Sequence, residues 1–143
     1  MDELRYPSLA DAVAIHAMLM ERTSSPPAAL RDEGLLESAL MKPRMAAYYE
    51  QADLIDQAAL LAVGIAQAQS FLDGNKRTAF AVADVFLRIN GRYFVGDPLD
   101  FAKRLEGLAT REGSLEDETG SLASWLRERV EDFDRQWPRL HRG

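Results

Sequence analysis

One short segment of the chain places an acidic, an amide and two basic side chains around a glycine. It reads Gln69-Ser70-Phe71-Leu72-Asp73-Gly74-Asn75-Lys76-Arg77-Thr78-Ala79. A glycine-containing turn that leads directly into a helix leaves backbone N–H groups unpaired at the positive end of the helix dipole. Such helix ends bind anions, and phosphate in particular. The segment therefore predicts an anion site at a helix N-terminus.

Three side chains in the segment indicate which anion it would bind. Lys76 and Arg77 lie in the first helical turn, where acidic residues are more stabilising, so a bound anion is expected to compensate them. Asp73 offers the hard oxygen ligand that Mg²⁺ prefers when it bridges phosphates. The residues alone thus predict a site for a Mg²⁺-nucleotide or a phosphoryl group. A plainer alternative stays open, in which Asp73 caps the helix and the two basic side chains are solvated.

The segment must be positioned by the helices on either side of it. Asp53 is predicted to cap the first of these helices, which ends near Ser70 and is apolar nearly all round. Its apolar residues are Leu54, Ile55, Ala58, Ala59, Leu61, Ala62, Ile65 and Ala66. A helix of this kind is typical of the middle of a bundle. The second helix is predicted to begin at about Asn75 and to end at Asn90-Gly91.

Upstream of this pair, the sequence predicts two more helices. Ser8 and Asp11 form a capping-box pattern before a helix from Leu9 to about Arg22. The segment 23–27, Thr-Ser-Ser-Pro-Pro, has the composition of a loop. A short helix is predicted from about Asp32 to Met41, closed by Pro43.

Downstream, the prediction is an extended piece over 92–95, then a helix that opens at Asp97-Pro98 and runs through Leu108. Residues 112–120 are predicted to form an acidic loop and Ser121 to cap a last helix with Trp125 in the core. The end from Asp132 is expected to be frayed or docked only through Trp137. Because strand patterns are weak throughout, the predicted fold class is all-α, as a single domain over residues 1–143.

Composition limits the functions that the chain could have. A formal net charge of −6 argues against direct nucleic acid binding and favours a basic or neutral protein partner. The absence of cysteine excludes disulfides, a thiolate nucleophile and a cysteine zinc site. The start of the chain lacks a signal-peptide pattern, and the longest apolar run, 58–66, is too short to span a membrane. We therefore expect a soluble cytoplasmic protein.

The segment around Asp73 resembles the signature of the Fic family, His-x-Phe-x-Asp/Glu-Gly-Asn followed by a basic stretch. Its death-on-curing (Doc-like) members continue as Asn-Lys-Arg-Thr-Ala. The matching residues are Phe71, Asp73, Gly74, Asn75, Lys76, Arg77, Thr78 and Ala79. The resemblance extends to residues 30–40, which look like the segment before the loop that covers the family's site, and to 86–91 and 121–129. It covers most of the chain.

The resemblance implies a Fido fold, a small helical bundle that binds a nucleotide at the loop between two central helices. It implies that Phe71 packs into the core, that Asp73 holds Mg²⁺, and that the phosphates of ATP bind at Gly74, Asn75, Lys76 and Arg77. By the same resemblance Asp73 and Asn75 belong to the catalytic residues.

The resemblance also indicates which group the site transfers. Adenylyl-transferring members carry a second arginine three residues after the first, where this chain has Phe80. That difference is typical of Doc-like toxins, which are protein kinases that phosphorylate elongation factor Tu and are held inactive by a Phd-type antitoxin. The resemblance therefore implies a toxin of a toxin–antitoxin pair, with ATP, Mg²⁺, a Phd-like antitoxin and elongation factor Tu as cofactors and partners. Adenylyl transfer is the weaker alternative.

The chain departs from the family pattern at Gln69, where the signature has its histidine. A neutral imidazole accepts a proton near physiological pH, whereas an amide does not. Gln69 can therefore bind a hydroxyl or a phosphate but cannot act as a general base. Three interpretations stay open: a pseudoenzyme that still binds nucleotide, a slow transferase, or an engineered change that silences a toxic protein. Because Ser70 also departs from the pattern, natural divergence is favoured over engineering.

The two histidines of the chain are weak candidates for the missing base. His16 lies on the apolar stripe of the first predicted helix, where a packed, hydrogen-bonded histidine is more common than a catalytic one. His141 lies near the end of the chain. A domain that binds nucleotide and protein without catalysis is therefore the main alternative to the enzyme.

Overall fold

The computed structural model describes residues 3–22, 30–110 and 115–132. Within these ranges the chain forms helices and a two-stranded sheet. The helices are α1 (Leu9–Arg22), α2 (Glu33–Glu50), α3 (Leu54–Ala68), α4 (Asn75–Ile89), α5 (Pro98–Thr110) and α6 (Leu115–Arg127), and the strands are β1 (Arg92–Phe94) and β2 (Val130–Asp132). The predicted all-α class is confirmed, and residues 69–74, called the motif loop below, connect α3 to α4. Among these helices none is long and apolar enough to cross a membrane.

Helix α3 lies at the centre of the bundle, because α2, α4, α5 and α6 all pack against it. Its buried residues lie on nearly every side, as its apolar sequence predicts. Helix α4 packs against α1, α3, α5 and β1. The two helices that flank the motif loop are therefore the most enclosed elements of the fold, and the loop is anchored at both ends.

The helix caps predicted from the sequence are present. The Ser8 hydroxyl accepts a hydrogen bond from the Asp11 N–H at 3.1 Å, and the Asp11 carboxylate accepts one from the Ser8 N–H at 2.9 Å. The Ser8 N–H, which donates to this carboxylate, and the nearby Ser8 hydroxyl hold the pKa of Asp11 below its ordinary value. A second box links Asp53 and Asp56 at the start of α3.

The prediction that Pro43 closes a short helix was wrong. Helix α2 continues through Pro43 to Glu50 and ends at Gln51, which adopts the left-handed conformation with φ 55°. Pro43 is buried, and the buried residues on both sides of it, Leu36, Ala39, Leu40 and Ala46, keep the helix packed on the core. Tertiary packing here outweighs the backbone hydrogen bond that a proline removes.

The predicted acidic loop over 112–120 was wrong for the part that the structure describes. Helix α6 begins at Leu115, and Glu116, Asp117 and Glu118 form its first turn, where acidic residues interact favourably with the helix dipole. Ser121 is therefore inside α6 and is not its cap. Residues 111–114 lie outside the described residues.

A short sheet pairs residues 92–94 with residues 130–132, a contact that was not predicted from the sequence. Strand β1 pairs antiparallel with β2, with Arg92 opposite Asp132. Their side chains form an ion pair of 2.7 Å. The expectation that the chain frays from Asp132 was wrong for that residue, which belongs to β2. The predicted loop over 23–27, Trp137 and His141 lie outside the described residues.

Candidate active site

The loop from Gln69 to Gly74 connects α3 to α4 and begins and ends in a left-handed conformation. Gln69 ends α3 with φ 47°, and Gly74 begins α4 with φ 81°. Left-handed backbone is rare for a residue with a side chain, so Gln69 carries strain that the surrounding contacts must offset. The loop is thus bent sharply at both ends, and its backbone is fixed from three sides.

The first contact is internal to the loop. The Asn75 side-chain amide donates to the Phe71 carbonyl oxygen at 2.8 Å, and its carbonyl oxygen accepts from the Phe71 N–H at 3.1 Å. Phe71 itself is buried at 2% exposure, as the resemblance predicts. Both polar atoms of the Asn75 side chain are therefore engaged by the loop backbone, so this residue shapes the loop. A role for Asn75 in catalysis stays a prediction.

The second contact comes from α1. The His16 ring stacks on the Phe71 ring with centroids 3.7 Å apart and planes 7° apart. Its Nε2 lies 2.8 Å from the carbonyl oxygen of Asp73. The expectation that His16 is a packed, hydrogen-bonded histidine is confirmed, and its partner is the motif loop.

The third contact comes from the segment before α2. Leu30 and Phe71 form an antiparallel bridge, and the N–H groups of Arg31 and Asp32 donate to the Ser70 carbonyl oxygen at 2.6 and 3.1 Å. The Arg31 guanidinium donates to the Gln69 carbonyl oxygen at 2.7 Å. The segment that the resemblance places beside the site therefore holds the strained end of the loop.

The outer side of the loop faces an open cleft of about 440 Å³. Every predicted site residue lines it, namely Gln69, Asp73, Gly74, Asn75, Lys76 and Arg77, together with Ala66, Leu72, Ala102 and Glu106. The structure thus brings all the predicted site residues to one surface. Their assignment to metal, phosphate or proton transfer stays a prediction.

The start of α4 has no side-chain cap. Gly74 is the cap residue and no side chain bonds the first turn, so the expectation that Asp73 caps the helix was wrong. Asp73 Oδ1 instead accepts from the adjacent Gly74 N–H at 2.7 Å. The other part of the plainer alternative, in which the two basic side chains are solvated, stays open. Lys76 pairs with Glu106 of α5 at 3.8 Å, and the Lys76 side chain is partly exposed while that of Glu106 is largely exposed. Such a pair is weak, so the positive charge of Lys76 remains accessible to a stronger anion.

Arg77 differs from Lys76 in having no ion pair with any residue that the structure describes. It is exposed and lines the cleft. An exposed cation in the first turn of a helix is unfavourable with respect to the helix dipole. The arrangement would be relieved by an anion bound between Arg77 and the open N–H groups.

Phe80 occupies the position at which, by the resemblance described above, adenylyl-transferring members of the Fic family carry an arginine. Its ring contacts Phe101 at 5.0 Å and Phe94 at 6.1 Å between centroids, both edge to face. Trp125 joins this aromatic cluster, which confirms its predicted packing on the core. Phe80 therefore serves the packing of α4 on α5, and a polar group is absent from this position.

Two of the site's neighbours could not be identified from the sequence. Glu106 belongs to a helix far along the chain, and nothing in its local pattern indicates that it faces the cleft. The role of Arg31 was also missed, although its segment was singled out, because its contact with Gln69 depends on how that segment folds over the loop.

Two known proteins are similar in sequence to this chain over most of its length. The chain is 39% identical over 100 residues to Toxin Doc of Mycolicibacterium smegmatis, which covers 67% of this chain and 77% of that protein. It is 32% identical over 125 residues to Protein kinase doc of Escherichia phage P1, which covers 87% of this chain and 94% of that protein. The sequence model of the Fic/DOC family matches residues 6–87, a range that contains α1, the motif loop and most of α4. The chain therefore belongs to the Fic/DOC family.

Proposed function

We propose that this protein is the toxin of a toxin–antitoxin pair and that it transfers the γ-phosphoryl group of ATP to a hydroxyl of a cytoplasmic protein. One observation carries the proposal: all the predicted phosphate-handling residues line one cleft at an uncapped helix N-terminus. The two similar proteins are named a toxin and a protein kinase, which supports the same activity. By resemblance, the target would be elongation factor Tu.

The residues of the cleft fit Mg²⁺-ATP. Its volume of about 440 Å³ falls within the range of roughly 300–1,000 Å³ typical of small-molecule sites. Phosphates would bind at the N–H groups of the first turn of α4, with Lys76 and Arg77 supplying positive charge. Asp73 would contribute one carboxylate to Mg²⁺, which proteins commonly hold by one or two carboxylates together with substrate phosphates. Bound Mg²⁺ would neutralise charge that develops on the phosphates.

The reaction needs a hydroxyl to attack and a proton to leave. The hydroxyl oxygen of the target forms a bond to the γ-phosphorus, the bond from that phosphorus to the bridging oxygen breaks, and ADP leaves with the electron pair. The hydroxyl proton must pass to a base or to water. Gln69 can orient the hydroxyl by a hydrogen bond but cannot take this proton. We therefore propose a slow transferase, since phosphoryl transfer depends mainly on positioning and charge stabilisation.

Transfer of the γ-phosphoryl group is favoured over adenylyl transfer. By resemblance, family members that transfer adenylyl groups use a second arginine three residues after the first. This chain has Phe80 at that position of α4, packed against Phe94 and Phe101. A ring in an aromatic cluster offers no hydrogen-bond donor to a phosphate. The phosphates of ATP would thus contact one cationic side chain fewer here than in family members that transfer adenylyl groups.

A label-transfer assay tests this function. Purified parent protein and Gln69→His are each incubated with a cell lysate and with γ-labelled or α-labelled ATP. A positioned base contributes about 10²- to 10⁴-fold in rate, so Gln69→His should transfer γ-label much faster than the parent. Transfer of α-label would identify an adenylyltransferase instead.

The proposed partner is a Phd-like antitoxin that folds as a helix on an apolar surface of the toxin. A partner that binds only the folded state raises the melting temperature with the logarithm of its concentration. A short gene beside the gene for this chain should therefore encode a protein that co-purifies with the chain and raises its melting temperature. If it does neither, the toxin assignment loses its main support.

A second candidate is a domain that binds nucleotide and protein without catalysis, and Gln69 is the observation that favours it. If Gln69→His binds Mg²⁺-ATP but labels no protein and does not slow growth when expressed, one residue does not restore the reaction. The binding domain would then replace the transferase as the function of this chain.

A further inference from the structure

The side chain of His16 is almost completely enclosed beneath the motif loop. It is 2% exposed, its ring stacks on Phe71, and its Nε2 lies 2.8 Å from the Asp73 carbonyl oxygen. A carbonyl oxygen only accepts hydrogen bonds, so Nε2 carries the hydrogen and donates it. This side chain therefore holds two features of the loop at once, an aromatic ring and a peptide group.

Helix α1 approaches the loop as closely as a glycine permits. His16 and Met20 are four residues apart and point from one face of α1 towards Gly74. A Cβ added at Gly74 would lie 2.8 Å from the Met20 sulfur and 3.4 Å from His16 Nε2. The inner side of the Asp73–Gly74 peptide thus packs on α1, and its outer side lines the cleft.

We propose that His16 is a positioning residue for nucleotide binding. Its Nε2–H holds the carbonyl of Asp73, which fixes the peptide between Asp73 and Gly74. That peptide sets the direction of the Asp73 carboxylate and of the first N–H groups of α4, the two groups assigned to Mg²⁺ and phosphate. The inference rests on the proposed function. His16 is not the missing base, because its ring is covered and its Nε2 hydrogen is already donated within the protein.

The ring and the donor of His16 can be separated by substitution. His16→Phe retains an aromatic ring of similar size but removes the donor, whereas His16→Gln removes the ring and places an amide donor near Nε2. An unpaired peptide carbonyl next to the site frees the loop to rotate away from the cleft. We expect the dissociation constant of Mg²⁺-ATP to rise roughly tenfold in His16→Phe, a loss typical of one hydrogen bond, and to stay within about threefold of the parent in His16→Gln.

Gln57 offers a matched control for simple loss of stability. It is 1% exposed, accepts a hydrogen bond from the Tyr6 hydroxyl at 2.6 Å and donates one to the Ala52 carbonyl at 3.0 Å, away from the motif loop. Gln57→Leu should lower the melting temperature as much as His16→Phe does, yet leave the affinity for Mg²⁺-ATP unchanged. Equal losses of affinity in the two variants would mean that His16 acts only through stability.

The experiment combines calorimetric titration of Mg²⁺-ATP with the amide NMR signals of Gly74 and Asn75 in protein without nucleotide. In His16→Phe these two signals should shift or broaden while those of α6 stay in place, and His16→Gln should restore them. If the parent does not bind Mg²⁺-ATP, the proposed function fails, and the NMR signals alone decide whether His16 positions the motif loop. Unchanged loop signals in His16→Phe, or in the smaller His16→Leu should the first variant be insoluble, would overturn the inference.

Discussion

The N-termini of α3 and α4 belong to neighbouring central helices but are built in opposite ways. At α3, Asp53 and Asp56 cap each other's N–H groups, and Arg127 of α6 binds both carboxylates at 2.6 Å. At α4, Gly74 provides no side chain, and Lys76 and Arg77 add positive charge to the positive end of the helix dipole. One end is neutralised by the protein itself, and the other is the end at which we propose that a nucleotide binds.

This difference shows how a small bundle can tolerate an unfavourable helix start. The start of α4 lacks the cap that typically contributes about 1 kcal/mol. Buried contacts elsewhere in the loop offset this, because Phe71 lies in the core and Asn75 binds the loop backbone. Packing thus offsets the cost of an uncapped, cationic helix end, and no side chain bonds the N–H groups of its first turn.

The largest effect is expected from a side chain added at the start of α4. Gly74→Ala places a Cβ 2.8 Å from the Met20 sulfur in a residue with φ 81°. Left-handed strain of roughly 1–2 kcal/mol and overpacking of roughly 1–3 kcal/mol should together lower the free energy of unfolding by about 2–5 kcal/mol. Denaturant unfolding measures this loss, and binding of Mg²⁺-ATP should also weaken.

Gly91 is the matched control for that change. It has a similar φ of 80°, but a Cβ there would meet nothing within 4 Å. Gly91→Ala should therefore cost only the backbone strain, about 1–2 kcal/mol, and leave nucleotide affinity as it is. Equal losses in the two alanine variants would show that α1 does not press on the loop at Gly74.

A smaller effect is expected when the start of α3 loses its cap. Asp53→Ala removes the acceptor for the Asp56 N–H and a partner of Arg127, so unfolding should become easier by about 1–2 kcal/mol. Because this end binds no ligand in our proposal, the affinity for Mg²⁺-ATP should not change. A large loss of affinity in Asp53→Ala would contradict the division of roles between the two helix ends.

Removal of a cation from the start of α4 should lower nucleotide affinity without lowering stability, the reverse of the effect expected for Asp53→Ala. Arg77→Ala should weaken Mg²⁺-ATP about tenfold, or roughly 1.4 kcal/mol, but leave the melting temperature equal or slightly higher, because a cation at this helix end opposes the dipole. Arg88, at the other end of the same helix, pairs with Asp84 and serves as control. If Arg88→Ala weakens binding as much as Arg77→Ala does, the charge acts at long range and not at the cleft.

The smallest effect concerns the charge of Asp53. Partial burial alone would raise the pKa of this carboxyl, but hydrogen bonds from Arg127 and Asp56 and the charge of Arg127 outweigh it and hold the pKa below its ordinary value. A depressed folded-state pKa contributes stability that is complete above about pH 5 and is lost as the pH falls through about 4 and below.

Asp53→Asn keeps a good helix cap and removes this charge. The difference in melting temperature between the parent and Asp53→Asn should thus be present at pH 7 and shrink between pH 5 and pH 3. A difference that stays constant over this range would show that the charge of Asp53 does not stabilise the fold.

The sequence predicted those features that depend on local patterns. The caps at Ser8 and Asp53, the helix start at Asn75 and the motif loop each follow from residues within a few positions of one another. The continuation of α2 through Pro43 was not predicted, because it depends on packing against α3. The start of α6 was missed because a run of acids is typical of loops, although the same residues favour a helix N-terminus.

In the candidate site too, the residues that are close in sequence were predicted and those brought in by packing were not. The motif residues were found because they are contiguous in sequence. Glu106 of α5, which pairs with Lys76, and His16 of α1, which holds Asp73, come from helices that reach the loop only in the folded bundle. The strain at Gln69, with φ 47°, likewise appears only in the folded chain, where Arg31 binds its carbonyl.

The most direct test of the difference between the two helix ends is calorimetric titration of Mg²⁺-ATP into the parent and into two alanine variants of aspartates. Asp73→Ala removes the carboxylate assigned to Mg²⁺ at the start of α4, and Asp53→Ala removes the capping carboxylate at the start of α3. We predict that the parent and Asp53→Ala bind with the same affinity and that Asp73→Ala binds at least tenfold more weakly. Equal affinity in all three proteins would contradict a nucleotide site at the start of α4.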